Sequence, residues 1–422
     1  MSLNKKRSAP IRFVLSVITL SGLVLTAQAQ GTSAGALSGS VSLKDVFDTA
    51  WQRQPEALAL QSRRNAALAQ AKAASMLSPE PPSLEISQRS DRMTGNSGAR
   101  EAEVGIAVPI WLPGQRTASA DLAQAEISLV EHRLLASQLR LASSVRDAWW
   151  GWLRARVDTE LASEQLVNAQ RLAADVAKRT NAGDLAKSDQ HQAEGAVAAA
   201  ESHAAQAQAA SAAALAQVMA LTGRTAPADL TVNAAGESTP SSGPSVGHPL
   251  LAELEDRINI AEQTAQLIST QKRSNPELTV ATTRDRGAYG ERYGQTVLIG
   301  IRVPFGAGPR YDARIATAQA EAIEVQSKLI LEKDRIQADQ QGAASRLEAA
   351  RTQLDAAQRR ARLANESRGF FDKSFRLGET DLPTRLRIEA EAAEAARQAA
   401  RSRIDLASAI SALRQSLGLL PQ

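Results

Sequence analysis

The sequence predicts a mainly α-helical fold with transmembrane-type β-strands, built as two structural repeats, each helix–strand–strand–long helix–helix. Three observations predict it. First, landmarks recur at a fixed distance: Gly105 and Gly300 lie 195 apart, Pro82 and Pro276 194 apart, and Gly183 and Gly378 195 apart. That period is far longer than a solenoid unit, so it marks two halves of one fold. Second, long proline-free stretches carry apolar residues in alternating steps of four and three, the seam of a coiled coil. Third, each half holds two short segments with period-two alternation, as in "GIAVPIWLPGQR" from Gly105 and its twin "GIRVPFGAGPR" from Gly300.

The elements follow in order. Residues 1–29 read as a secretory signal peptide: Lys5, Lys6 and Arg7, an apolar run from Phe13 to Leu25, then Ala27-Gln28-Ala29 as the cleavage site. The first repeat is expected over 30–234. Its first helix spans about 42–78 and stops before Pro79, Pro81 and Pro82. A hairpin occupies about 83–110. A long helix runs 117–181, about 96 Å at 1.5 Å per residue, and a shorter one 184–222. Residues 235–247, rich in Pro, Gly and Ser, form a linker. The second repeat, 248–422, repeats the order, with helices at about 249–274, 310–376 and 380–418 and a hairpin at about 277–305. The two shorter helices of each half together match the long one, which predicts that they stack end to end along it.

The seam positions are Leu134, Leu141, Val145, Trp152, Thr159, Leu166 and Val176 in the first long helix, and Ala343, Leu347, Ala350 and Ala357 in the second. In the last strand Val297, Ile299, Ile301, Val303 and Phe305 share a face, with Leu298 an exception on the other. Strands of nine to eleven residues suit a membrane barrel, but four strands cannot close one, and open edges are forbidden in lipid. Either the hairpins are soluble sheets, or several chains share one barrel; three chains supply twelve strands.

Composition excludes several functions. With no cysteine, disulfides, thiolate metal sites and an acylated N-terminal cysteine are ruled out. The formal charge of +4 comes from 49 bases and 45 acids; Lys5, Lys6, Arg7 and Arg12 leave with the signal, and 45 − 45 is zero. Nucleic-acid binding therefore has no electrostatic support. His132, His191, His203 and His248 show no ligand spacing, so no metal site or cofactor is expected. No catalytic fingerprint is present, and no enzyme activity is expected. Trp149, Trp150 and Trp152 read as bundle packing.

Duplicated halves, each with a hairpin before a very long helix and a glycine turn after it, resemble the TolC family of outer-membrane efflux channels. The "IWLPGQR" join is most similar to the outer-membrane component of cobalt–zinc–cadmium (heavy-metal) efflux systems. The resemblance implies a homotrimer: a twelve-stranded β-barrel in the Gram-negative outer membrane, continuous with an α-helical coiled-coil tunnel in the periplasm. It implies three further partners: outer-membrane lipid, a periplasmic adaptor (membrane-fusion) protein and an inner-membrane RND-type pump. The adaptor would meet the helical tips at Arg179, Asn181, Gly183, Arg376, Leu377 and Gly378. Acidic residues beyond each tip would line a constriction, with Asp184, Asp189, Glu379 and Asp381 as candidates and Arg385 beside them. Asp189 lies six residues past Gly183, whereas Thr384 holds that place past Gly378, a departure from the family pattern. Trp111 would mark the membrane interface. Two other readings remain: a periplasmic coiled-coil adaptor, or a structural coiled coil of the envelope. The cargo of an exit duct would be metal cations, drugs or a polypeptide.

Overall fold

The computed structural model describes residues 41–224, 236–240, 247–306 and 308–422. The predicted signal peptide lies outside them, as does most of the linker. The chain forms α1 (Leu43–Gln52), α2 (Pro55–Ala74), β1 (Ser83–Ser90), β2 (Arg100–Pro109), α3 (Gln115–Asn181) and α4 (Lys187–Thr222). The second half gives α5 (Pro249–Thr270), β3 (Glu277–Arg286), β4 (Gly294–Arg302), α6 (Pro309–Arg376) and α7 (Leu382–Ser416). The second half thus repeats the element order of the first. None of the described helices is long and apolar enough to cross a membrane.

The expected first helix, 42–78, is in fact two. Pro55 has no N–H to donate, and its ring forces the preceding Gln54 out of the helical region (ψ 137°). A capping box opens α1: Ser42 Oγ accepts from the Asp45 amide, and the Asp45 carboxylate accepts from the Ser42 amide at 2.9 Å. Its side-chain hydrogen bond with Ser42 holds the Asp45 carboxyl below the usual range.

The two long helices have 67 and 68 residues, about 100 Å each. Helices of this length are held by packing along their sides. In the first half α2 and α4 both lie along α3. The end of α4 meets the α1–α2 junction, where Arg53 donates to the carbonyls of Ala220 and Leu221 at 3.2 and 3.3 Å. In the second half the end of α7 meets the start of α5. There a Cβ on Gly418 would come within 2.7 Å of Pro249. The shorter helices therefore do abut along the long ones, in both halves.

The core lies where α1, α3, α4 and α7 meet. Trp149, Trp150 and Trp152 are all buried in it, with Trp149 and Trp152 edge to face at 5.5 Å. The Trp150 indole donates to Ser411 Oγ at 2.9 Å, tying α3 to α7. Of the predicted seam, Leu141, Val145, Trp152 and Val176 are buried on α3, and Ala343, Leu347, Ala350 and Ala357 on α6. Alanine at these positions lets the helices approach closely.

Beside the core sits a buried ion cluster that crosses the repeats. Glu237 accepts two hydrogen bonds from Arg146 of α3, at 3.0 and 2.8 Å, and one from Arg414 of α7, at 3.0 Å. All three side chains are 4% exposed or less. The segment predicted as a simple linker is thus pinned at Glu237 between the two halves.

The four strands form one antiparallel sheet in the order β1-β2-β3-β4. The hairpins of the two repeats join through β2 and β3, leaving β1 and β4 as open edges. The last strand ends at Arg302, short of the expected Phe305. Its partner β3 begins at Glu277, opposite Arg302, so Val303, Pro304 and Phe305 have nothing to pair with, and Pro304 has no amide to offer. Pro109 is likewise the last residue of β2, and the Ile110 amide bonds the Pro276 carbonyl at 2.7 Å.

Candidate functional site

Two regions have functional character: the sheet and the helical tips. Register sorts the sheet into two faces. Leu84, Ile106, Val280 and Ile299 align across all four strands, and Val108, Leu278 and Ile301 align in a second row. Ile86, Val104, Thr282 and Val297 make a third. These side chains are largely exposed; Ile86, Val297 and Ile299 are each 70% or more accessible. A contiguous apolar sheet face open to its surroundings marks an interaction surface, such as one in contact with lipid or protein.

The other face is polar. It carries Glu85, Glu101, Glu103, Glu277 and Asp285 against Arg89 and Arg302, with Leu298 and the buried Ala107 and Ala281 among its apolar members. Arg89 pairs with Glu101 and Arg302 with Glu277, both at 3.3 Å. Five carboxylates against two arginines leave that face net negative by three.

The sheet ends differ. At the helical end Trp111 is half-buried, and its indole donates to the Met76 carbonyl at 3.1 Å. The turn into α3 is fixed by Gln115, whose buried side chain accepts from the Leu112 amide at 2.9 Å and from Asn275 Nδ2 at 2.8 Å. Asn275 also donates to the Ile110 carbonyl at 3.0 Å. Sequence reading missed both residues; the polar Gln115 directly after Pro113-Gly114 was the available signal. At the far end Asp91 accepts from the Ser97 and Gly98 amides, and the Tyr289 hydroxyl donates to Asn96 at 2.8 Å, so the two hairpin turns interlock.

Both helical tips use the same turn. Gly183 and Gly378 adopt φ 90° and 80°, a left-handed conformation that strains any residue with a Cβ. Asp184 N–H then bonds the Arg179 carbonyl at 2.9 Å, and Glu379 N–H the Ser374 carbonyl at 3.0 Å. These are Schellman motifs, which satisfy the last helical carbonyls. Asn181 and Leu377 are exposed at the two turns, Leu377 to 74%.

The predicted acidic residues have distinct local partners. The Asp189 carboxylate accepts from the Ala186 amide at 3.2 Å in the first turn of α4. Asp381 is the N-cap of α7, accepting from the Thr384 amide, and its side-chain hydrogen bond there holds its carboxyl below the usual range. Glu379 accepts from Ser374 Oγ at 3.3 Å. Asp184 is exposed. Arg385 pairs with Asp372 and packs over Phe375 at 5.1 Å. Arg376 bonds the same Asp372 at 2.9 Å.

The structure also brings the two tips together. Phe375 is 1% exposed and lies between Arg385 and Arg179, the latter 5.0 Å from its ring and donating to its carbonyl at 3.3 Å. Arg179 lies in the last turn of α3 and Phe375 in the last turn of α6, so one aromatic ring joins both repeats. Phe375→Ala removes this clasp at a cost of about 3 kcal/mol. Faster hydrogen exchange at both tips, with the tryptophan core unchanged, is the expected result; equal exchange at residues 176–184 would show that the tips are independent.

Among the described residues, no group of three or more His, Asp or Glu converges as a metal site.

The fold is that of outer-membrane channels. It matches the outer membrane protein VceC of Vibrio cholerae with a TM-score of 0.72 at 16% identity, over 89% of this chain and 96% of that one. CusC matches with a TM-score of 0.73 at 17% identity, over 89% and 92%. The Campylobacter jejuni outer membrane channel CmeC matches with 0.71 at 14%, over 89% and 85%. In sequence, residues 46–224 match the family described as outer membrane efflux protein. That stretch is the first repeat, from α1 to the end of α4. By sequence over that repeat, and by fold over nearly all of its described length, the chain is similar to outer-membrane efflux channels. No curated protein matches it in sequence.

Proposed function

We propose that this chain is the outer-membrane exit duct of a tripartite efflux pump, passively conducting heavy-metal cations out of the cell. The carrying observation is the sheet: four antiparallel strands with an exposed apolar face, a polar face and two open edges. With strands alternating in direction, β4 of one copy and β1 of the next run antiparallel, so identical copies close a ring. Three copies give twelve strands, an even number in the range of membrane barrels, with the apolar face in lipid. From Arg100 to Trp111 the strand path is about 37 Å; at a tilt near 40° it rises about 28 Å, enough to span the apolar band of a barrel. Trp111 would stand at the periplasmic interface, and Tyr289 and Tyr293 at the outer one.

The α-helices would extend the barrel into the periplasm as a tunnel. Its tips, Arg179 to Asp184 and Arg376 to Thr380, would dock on a periplasmic adaptor tied to an inner-membrane RND-type pump. The acidic face would line the lumen. A ring of carboxylates favours cations over anions, which supports a metal-cation cargo; Asp184 and Asp189 would add charge near the tunnel mouth. No catalytic residue is needed for such a duct.

The test is direct. The full chain expressed in a Gram-negative cell should run as a heat-resistant trimer in the outer-membrane fraction. A monomer in the soluble periplasm would refute the reading in favour of an adaptor or envelope coiled coil. Reconstituted trimers should pass cations more readily than anions.

A further inference from the structure

The end of the sheet farthest from the helices carries a feature that conduction does not explain. Arg100 of β2 and Arg286 of β3 are directly opposed in register, and Arg284 sits in the next row on the same face, opposite Ala102. This face is continuous with the apolar rows of Val104 and Val280. Like charges directly opposite across a strand pair destabilise it. No carboxylate on this face offsets them: Glu101 and Asp285 fall on the opposite face by register. The nearby turn acids are committed elsewhere, Asp91 to the Ser97 and Gly98 amides and Glu291 to those of Gly287 and Ala288.

The arginines are positioned without being neutralised. Arg284 lies over the Tyr293 ring at 4.7 Å, and Arg286 over Tyr293 at 5.1 Å and Tyr289 at 5.6 Å. Stacking of this kind orients a guanidinium while sparing its N–H donors. Arg286 uses only Nε, donating to the Gly98 carbonyl at 3.0 Å. Arg100 and Arg284 make no hydrogen bond or ion pair among the described residues, and both are exposed.

We propose that Arg100, Arg284 and Arg286 form a binding site for the phosphate groups of an outer-leaflet lipid. This site rests on the exit-duct reading, which puts the apolar rows in the bilayer and these arginines at headgroup height on the lipid side. Guanidinium is the side chain best matched to phosphate, through paired N–H donors. A bound phosphate also relieves the repulsion between Arg100 and Arg286. The site belongs to the lipid-facing surface, so it anchors the barrel and leaves the conduction path untouched.

The experiment uses full-length chain in phosphatidylcholine vesicles containing either phosphorylated or dephosphorylated lipid A. Wild-type trimers should retain phosphorylated lipid A through purification and discriminate against the dephosphorylated form. Arg100→Gln and Arg284→Gln should each weaken retention about fivefold; neither touches the Arg286 contact with the turn. Arg89→Gln, on the opposite face, should change nothing. Retention at the wild-type level by the two arginine variants, or equal binding of both lipids by the wild type, overturns the proposal. So does complete displacement by inorganic phosphate at concentrations that leave lipid A bound to other barrels, since that would make the site a free-anion site. Trimer formation is scored separately by heat-resistant migration. A wild-type chain that never forms trimers refutes the exit-duct reading, and this site with it.

Discussion

Glu237→Ala is expected to destabilise the fold by about 3–5 kcal/mol, the usual result of removing one partner from a buried ion cluster. Arg146 and Arg414 would both keep their charges, 4% and 3% exposed, with no carboxylate to face. Their remaining bonds go to neutral groups: Arg146 to Gln415 and the Leu419 carbonyl, Arg414 to the Ser238 and Leu420 carbonyls. Those contacts satisfy N–H groups but do not compensate two positive charges. The measurement is the urea midpoint followed by tryptophan fluorescence, since Trp149, Trp150 and Trp152 report the adjoining core. A companion variant separates charge from packing. Arg146→Met, Glu237→Leu and Arg414→Met together should recover most of the loss, because buried ion clusters are often replaceable by apolar groups of similar size. An unchanged midpoint for Glu237→Ala would show that the cluster is not buried in solution.

Ile299→Arg with Ile301→Arg is expected to abolish membrane assembly. Both side chains are exposed on the apolar face, at 73% and 63%. In the exit-duct reading each introduced charge meets hydrocarbon at about 2–4 kcal/mol near mid-bilayer, and the penalty recurs in every copy. Loss of heat-resistant trimers from the outer-membrane fraction is the readout. Thr296→Arg, on the polar face of the same strand, should still assemble. If the double variant assembles normally, the apolar face does not meet lipid.

Much of this architecture was legible because it rests on local chemistry repeated twice. Gly183 and Gly378 end helices in the same left-handed turn, so an interval of 195 in sequence became a pair of matching tips. The strands were legible from period two, and their apolar and polar faces followed from parity alone. The break at Pro55 was misread because the helical pattern continues on both sides of it, while the proline's effect falls on Gln54. The end of β4 was misplaced because strand length depends on the partner, and β3 has no residue left to pair beyond Glu277. Long-range polar contacts were not legible. Glu237 meets Arg146 and Arg414 across 91 and 177 residues, and Arg179 meets Phe375 across 196. Each of the charged partners looks like an ordinary surface charge in its own segment. The partners of Arg385 were not legible either: its neighbours in sequence do not reveal its contacts with Asp372 and Phe375.

The two open edges of the sheet carry a final consequence. Neither β1, SLEISQRS, nor β4, GQTVLIGIR, contains the lysine or proline with which soluble proteins blunt a free edge. A solitary chain therefore displays two sticky templates and a bare apolar face at once. Its solubility depends on how long it stays solitary, so yield of the assembled form should rise with whatever chaperone shields those strands and fall as unshielded chains accumulate. In the exit-duct reading, such a sheet ties completion of the fold to the encounter with its own copies.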